Sequence, residues 1–185
     1  MSAAAAAATP SVATASAMSV PKKGKEVWGP LLWHLLHALA ELSDRKDIPL
    51  LWPRLMAHIA AVMPCEKCRQ HLATVFRARP FLHITNPHLV TGARVQAQVR
   101  GELWRFHNEV NARLGKPAFG TSPADAAAVH ATKGRARLLL EAQDCFEKLK
   151  TAWQPLVHTQ IDPGLFSMWK GHVALMLALV AGGPT

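Results

Sequence analysis

The sequence predicts an all-α protein, and three observations carry that reading. Apolar residues recur at helical spacing along most of the chain, whereas stretches that alternate apolar and polar with β-branched side chains are few. The composition is rich in Ala, Leu, Val and His, with six Trp and no Tyr. Pro and Gly punctuate the apolar stripes at intervals that suit helices joined by short loops. At 185 residues, half of them apolar, the chain is one domain with extensions and has enough apolar side chains for a core.

The opening "MSAAAAAATPSVATASAMSV" has no charge and neither the positive n-region nor the Leu-rich h-region of a secretory leader. Residues 1–24 are read as a disordered low-complexity tail, set off by Lys22, Lys23 and Lys25. The first helix is "EVWGPLLWHLLHALAELSD", with Leu31, Leu32, Leu35, Leu36 and Leu39 as its apolar stripe and Pro30 suited to a first turn. The second is "IPLLWPRLMAHIAAV", and the third is "PCEKCRQHLATVFRA" with Pro64 in its first turn. "RPFLHITNPHLVTG" is a loop; "ARVQAQVRGELWRFHNEVNARLG" is a fourth helix, stopped by Gly115 and Pro117. Four helices joined by short loops suggest a bundle over residues 25–120. Beyond Phe119, "TSPADAAAVHATKG" is a short fifth helix with Ser122 as its N-cap. "ARLLLEAQDCFEKLKTAW", a turn at Asp162-Pro163-Gly164 and a final apolar helix make up a C-terminal helical extension, 121–185. The final helix has an unbroken apolar run only from Val173 to Ala181, short of the roughly 18–20 residues of a membrane span.

A net charge of +9 favours an anionic partner: a phosphate-bearing cofactor, a nucleic acid or an acidic surface. Three cysteines are too few for a disulfide-stapled scaffold. Two of them form Cys65-Glu66-Lys67-Cys68. On a helix, residues three apart are neighbours, so the two sulfurs can pair. In a first turn, the free N–H groups, the helix dipole and the charges of Lys67 and Arg69 would favour a thiolate. The same spacing with His71 gives three candidate zinc ligands, one short of a structural site. Two unrelated buried thiols would also fit. Cys145 lies near an apolar stripe and reads as a buried, inert thiol.

Two further stripes combine aromatic and polar groups. Gly29, Trp33 and His37 fall at i, i+4 and i+8 of the first helix. Trp104, His107, Asn108 and Asn111 fall at i, i+3, i+4 and i+7 of the fourth, where a bundle would place Leu or Ile. Arg113 and Lys116 follow at its end, suited to phosphate. Two aromatics, two imidazoles, two carboxamides and a basic end suit a flat heteroaromatic dinucleotide, and beside a dithiol the candidate is a flavin.

"WGPLLWHLLH", "MPCEKC" and "FHNEVNARLGKPAF" together resemble the signature segments of the Erv/ALR family of FAD-linked sulfhydryl oxidases, over about Trp28 to Phe119. The short core and the opening WGP are most similar to members encoded by large DNA viruses. The resemblance implies a four-helix bundle that binds FAD, usually as a homodimer. It also implies Cys65 and Cys68 as the catalytic pair, Cys65 exchanging with incoming thiols and Cys68 next to the flavin. Gly29, Trp33, His37, Cys68, His107, Asn108, Asn111, Arg113 and Lys116 match cofactor-contacting positions, and no metal is implied. The implied reaction forms disulfides in a thiol-containing protein or a thioredoxin-like partner and reduces dioxygen to hydrogen peroxide. The implied location is the host cytoplasm or a virion for a viral protein, otherwise an oxidising organelle. Met63 replaces a Tyr found before the Pro of the CxxC segment in many members, and Glu102 a Trp; a second, shuttle cysteine pair is absent.

The alternative from another class is a non-enzymatic, zinc-stabilised basic module that binds nucleic acid. Such a module has no reason to carry Trp33, His37 and the HN-x-VN segment, so no specific nucleic acid is expected, and no membrane span. An Erv-like scaffold without activity is a third possibility, opposed by the presence of both Cys65 and Cys68.

Overall fold

The computed structural model describes residues 24–81 and 91–183. The tail before residue 24 and most of the loop after Phe81 lie outside the described residues. Among the described residues, seven α-helices run in order: α1 (Lys25–Glu41), α2 (Leu51–Val62), α3 (Glu66–Ala78), α4 (Gly92–Arg113), α5 (Pro123–Ala131), α6 (Arg135–Trp153) and α7 (Pro163–Ala181). A 3-10 turn, Gln154–Leu156, follows α6. The all-α class is as predicted.

Local chemistry sets the helix ends. α1 begins at Lys25, so Pro30 lies in its second turn and not its first, where it withholds an N–H from the Glu26 carbonyl. Leu32, Leu35, Leu36 and Leu39 are buried as the stripe requires, while Leu31 is only half-buried. α2 ends because Met63, preceding Pro64, takes an extended conformation (ψ 127°). α3 then starts two residues later than predicted, at Glu66. Cys65 is extended (φ −92°, ψ 109°), and its sulfur accepts the Cys68 N–H at 3.2 Å as the N-cap. The predicted turn at Asp162-Pro163-Gly164 is instead a helix start: the Asp162 carboxylate accepts the Leu165 N–H and Pro163 takes the first position. Ser122 caps α5 as expected. Gly92 opens α4 against the backbone of Asp44, where an added Cβ would lie 1.7 Å from the Asp44 carbonyl oxygen.

α1 is covered from two sides. α6 lies along it on one side and α4 on another, while α7 packs on α2 and α6. One core cluster joins Leu35 and Leu39 of α1, Ile59 of α2, Val99 of α4, Leu149 and Trp153 of α6, and Trp169 of α7. The Trp153 ring stands between Trp28, edge-on at 5.8 Å, and Trp169, tilted at 4.7 Å. Arg135 ties the start of α6 to the Asp44 carboxylate (2.9 Å) and to the Val180 carbonyl at the end of α7 (2.6 Å). The change in sequence character near residue 120 is therefore not a break in packing. The full length of α7 makes it long and apolar enough, by length and composition, to cross a membrane, with one third of that stretch buried against the other helices. Cys145 is buried on the inner face of α6, and burial pushes its thiol pKa up.

Leu149 is fully buried, so Leu149→Ala should cost about 2–5 kcal/mol, read from urea unfolding. The unfolding should remain one cooperative transition. A second transition, unaffected by the substitution, would mean that residues 25–120 hold together without α6.

Candidate functional site

Cys65 and Cys68 form a disulfide, with their Cα atoms 5.1 Å apart, at the N-terminus of α3. Both are half-buried and packed against the core cluster. Cys68, Leu72 and Phe76 lie at i, i+4 and i+8, and Leu72 is buried, so this face of α3 turns inward. Phe76 meets Phe106 of α4 at 5.6 Å, and Phe106 meets Trp33 of α1 at 5.2 Å. The dithiol helix thus joins the two helices that carry the aromatic and polar stripes.

Trp33 lies flat on His107, with centroids 3.8 Å apart and planes 7° apart. His37 Nε2 and His107 Nδ1 are 3.1 Å apart, one donating to the other. Phe119 closes over both imidazoles at 4.7 and 4.3 Å. Both rings are buried, and burial lowers both pKa values, His37 to about 3 and His107 to about 4. His107 lowers His37 further, and Lys116 does the same to His107. Both are neutral at neutral pH, and each keeps one ring nitrogen outside their shared bond.

The remaining polar groups of the α4 stripe have partners within the chain. Asn108 grips Phe119 at both ends, its Oδ1 accepting the Phe119 N–H (2.6 Å) and its Nδ2 donating to the Phe119 carbonyl (3.5 Å). Asn111 Nδ2 donates to the Pro117 carbonyl at 3.0 Å, and Trp104 Nε1 to the Gly120 carbonyl at 3.3 Å. Gly115, at φ +64°, makes the left-handed step that folds residues 116–120 back along α4. The stripe therefore holds this returning segment in place. Gly29 is open: a Cβ built there meets nothing within 4 Å. Arg113 and Lys116 are exposed at the end of α4.

His71 does not join the cysteines as a zinc ligand, because the two sulfurs are bonded to each other. No group of three or more His, Cys, Asp or Glu among the described residues is placed to hold a metal. His71 Nε2 is buried without a hydrogen-bond partner among the described residues. Burial, and then Arg113, lower the pKa of its ring. Sequence reasoning did not single out Phe119, Phe106 or Phe76; Phe119 was visible as the last residue of the third signature segment. It treated Arg69 only as a charge, yet Arg69 Nη1 donates to the Met63 carbonyl (2.7 Å) and the Gln160 carbonyl (3.2 Å).

Comparison with known proteins gives consistent results. The family model described as Erv1 / Alr family matches residues 30–131. The FAD-linked sulfhydryl oxidase ERV1 of Oryza sativa subsp. japonica is 35% identical over 100 residues, covering 51% of this chain and 45% of that protein. Protein 347L of Invertebrate iridescent virus 6, also named as an FAD-linked sulfhydryl oxidase, is 25% identical over 101 residues, covering 53% of this chain and 88% of its own. Protein 088R of Frog virus 3, named likewise, is 28% identical over 100 residues, covering 51% and 61%. No solved structure matches the chain.

The two neutral imidazoles have a measurable consequence. A histidine in the unfolded chain takes up its proton near pH 6.5, whereas His107 and His37 resist protonation down to about 4 and about 3. Their contribution to stability is complete above the unfolded value and is lost as pH falls from there toward the folded values. The urea midpoint should therefore fall further between neutral pH and mild acid in the parent chain than in a His37→Gln, His107→Gln variant. Equal falls would mean that both rings protonate normally in the folded state.

Proposed function

The chain belongs to the Erv1/Alr family, and we propose that it is an FAD-linked thiol oxidase working through Cys65 and Cys68. The observation that carries this reading is the disulfide at the N-terminus of α3, joined by Phe76, Phe106 and Trp33 to a buried aromatic and imidazole set. A zinc-stabilised nucleic-acid module would need its cysteines free for metal, and here they are spent on each other.

The residues present fit a flavin dinucleotide. Half-buried Trp33, with one face on His107, would offer its other face, and His37 and His107 would offer ring nitrogens outside their shared bond. Gly29 leaves the α1 backbone open to approach, and Arg113 and Lys116 supply positive charge for a diphosphate. Asn108 and Asn111 hold the 116–120 segment that brings Phe119 onto the imidazoles. His71 Nε2, three residues beyond Cys68, is a buried polar atom with no partner among the described residues, which a bound group would satisfy. FAD held there would supply an acceptor for the two electrons of the Cys65–Cys68 dithiol and a route for them to dioxygen, giving hydrogen peroxide.

The steps made by the chain itself are thiol chemistry. A substrate thiolate attacks the Cys65 sulfur, the Cys65–Cys68 bond breaks, and Cys68 leaves as a thiolate. In the first turn of α3 the free N–H groups and the helix dipole stabilise that leaving group. A second substrate thiolate attacks the substrate sulfur of the mixed disulfide and releases Cys65. The substrate leaves with a new disulfide, and the chain holds the dithiol with Cys68 toward the inner face of α3. The thiol donor is a protein or a thioredoxin-like partner, and the working unit is a homodimer, as in the family pattern.

The purified protein should show flavin bands, bleach with dithiothreitol and consume oxygen. Cys68→Ser should keep the yellow colour and lose turnover. A colourless protein that does not take up added FAD, or a Cys68→Ser protein that turns over normally, would overturn the reading.

A further inference from the structure

The α6–α7 connection is bonded to Arg69, the residue that follows Cys68, and nothing above gives it a role. The exposed part of this connection, His158, Thr159 and Gln160, forms an open polar depression with Ile161, Asp162 and Pro163. The turn is held tightly by its own backbone. The Leu156 carbonyl accepts from the N–H groups of Gln160 (2.9 Å) and Ile161 (3.0 Å), and His158 N–H donates to the Ile161 carbonyl at 2.9 Å. His158 sits at φ +73°, the sole non-glycine at positive φ among the described residues. Such a conformation is rare for a side-chain-bearing residue and is kept where the surroundings impose it. Ile161 anchors the turn in the core.

Arg69 fixes where this turn stands. It follows Cys68 directly, and one of its nitrogens donates both to the carbonyl of Met63, two residues before Cys65, and to the carbonyl of Gln160. Its other nitrogen pairs with Glu66. A rigid, exposed turn is thereby tied to both flanks of the disulfide. The neighbouring carbonyls of His158 and Thr159 accept no hydrogen bond among the described residues. Unpaired backbone acceptors on exposed residues suit the N–H groups of an extended peptide and do less for a small thiol, which has few donors.

We propose that the α6–α7 turn, residues 156–162, is one wall of a binding surface for an extended polypeptide that brings its cysteine to Cys65. The inference rests on the oxidase reading and deepens it by assigning the α6–α7 turn a role in holding the protein substrate. It is tested by exchange that needs no flavin. In a Cys68→Ser chain, the Cys65 thiolate attacks the peptide sulfur of a peptide 2-pyridyl disulfide. The sulfur–sulfur bond to pyridine breaks, one to Cys65 forms, and 2-thiopyridone leaves with no net oxidation.

The rates to compare are those of two peptides, their cysteine flanked by Glu or by Lys, and of neutral 2,2′-dithiodipyridine. The measurement is made in about 0.3 M salt, where charges beyond roughly 6 Å are screened. Adding Thr159→Glu and Gln160→Glu should slow the Glu-flanked peptide and speed the Lys-flanked one, moving their ratio by roughly fivefold or more, with the small disulfide changed less than about twofold. A smaller shift of the ratio, or a small-disulfide rate that moves as far as the peptides, overturns the proposal. Gln160→Glu alone, at an exposed side chain, serves if the double change unfolds the chain. A colourless parent protein would count against the oxidase reading, while the peptide ratio would still decide the role of the turn.

Discussion

The burial of α1 on two sides is the constraint on which the rest of this fold depends. Its Leu35 and Leu39 positions are wholly withdrawn from water, and so are Leu149 and Trp153 of α6 that share their cluster. Trp33 and His37, on the same helix, meet α4 through His107. A helix held on only one side would leave one of these sets exposed. The aromatic and imidazole set therefore stands on a pillar whose opposite side is supplied by the C-terminal third of the chain. Arg135, bonded to Asp44 and to the Val180 carbonyl, closes the same arrangement at the far end.

Polar satisfaction follows the same economy. The carboxamides of Asn108 and Asn111 would destabilise a core face if left alone. They are matched to the backbone of residues 117–119, and the match brings Phe119 onto the two histidines. One stripe thus both fixes a loop and shapes a ring-lined wall. The histidines, each using one nitrogen on the other, avoid the cost of two unpaired imidazoles and stay neutral.

Much of this was legible in the sequence because it rests on local signals. The seven helices follow from apolar spacing and from punctuation by Pro and Gly, and Ser122 marked its helix start correctly. The cysteine pair and the Trp33, His37 and His107 stripe were visible as residue types at helical spacing. Other features depend on partners distant in sequence. The fit of α6 along α1 has no local mark, and a change in composition near residue 120 suggested an extension where the core is continuous. The Asn stripe suggested a ligand because its backbone partners appear only when Gly115 turns the chain back. Start positions failed by a residue or two where a cap decided them. The Cys65 sulfur took the capping role from the turn around Pro64, and Asp162 made a helix of a presumed turn. Arg69 read as one charge among many until Met63 and Gln160 were seen on either side of it.

The reliance of α1 on α6 also orders events at the ribosome. Synthesis runs from the N-terminus, so α1, the cysteine pair and α4 all emerge before α6 exists. During that interval the inner leucines of α1 lack their main cover, and Cys65 and Cys68 belong to a chain that cannot yet close around them. A contact between helices a hundred residues apart in sequence makes closure a late step. The wall of rings thus gains its backing only once α6 has emerged, and a nascent chain still lacking α6 has its thiols but not the helix that covers α1.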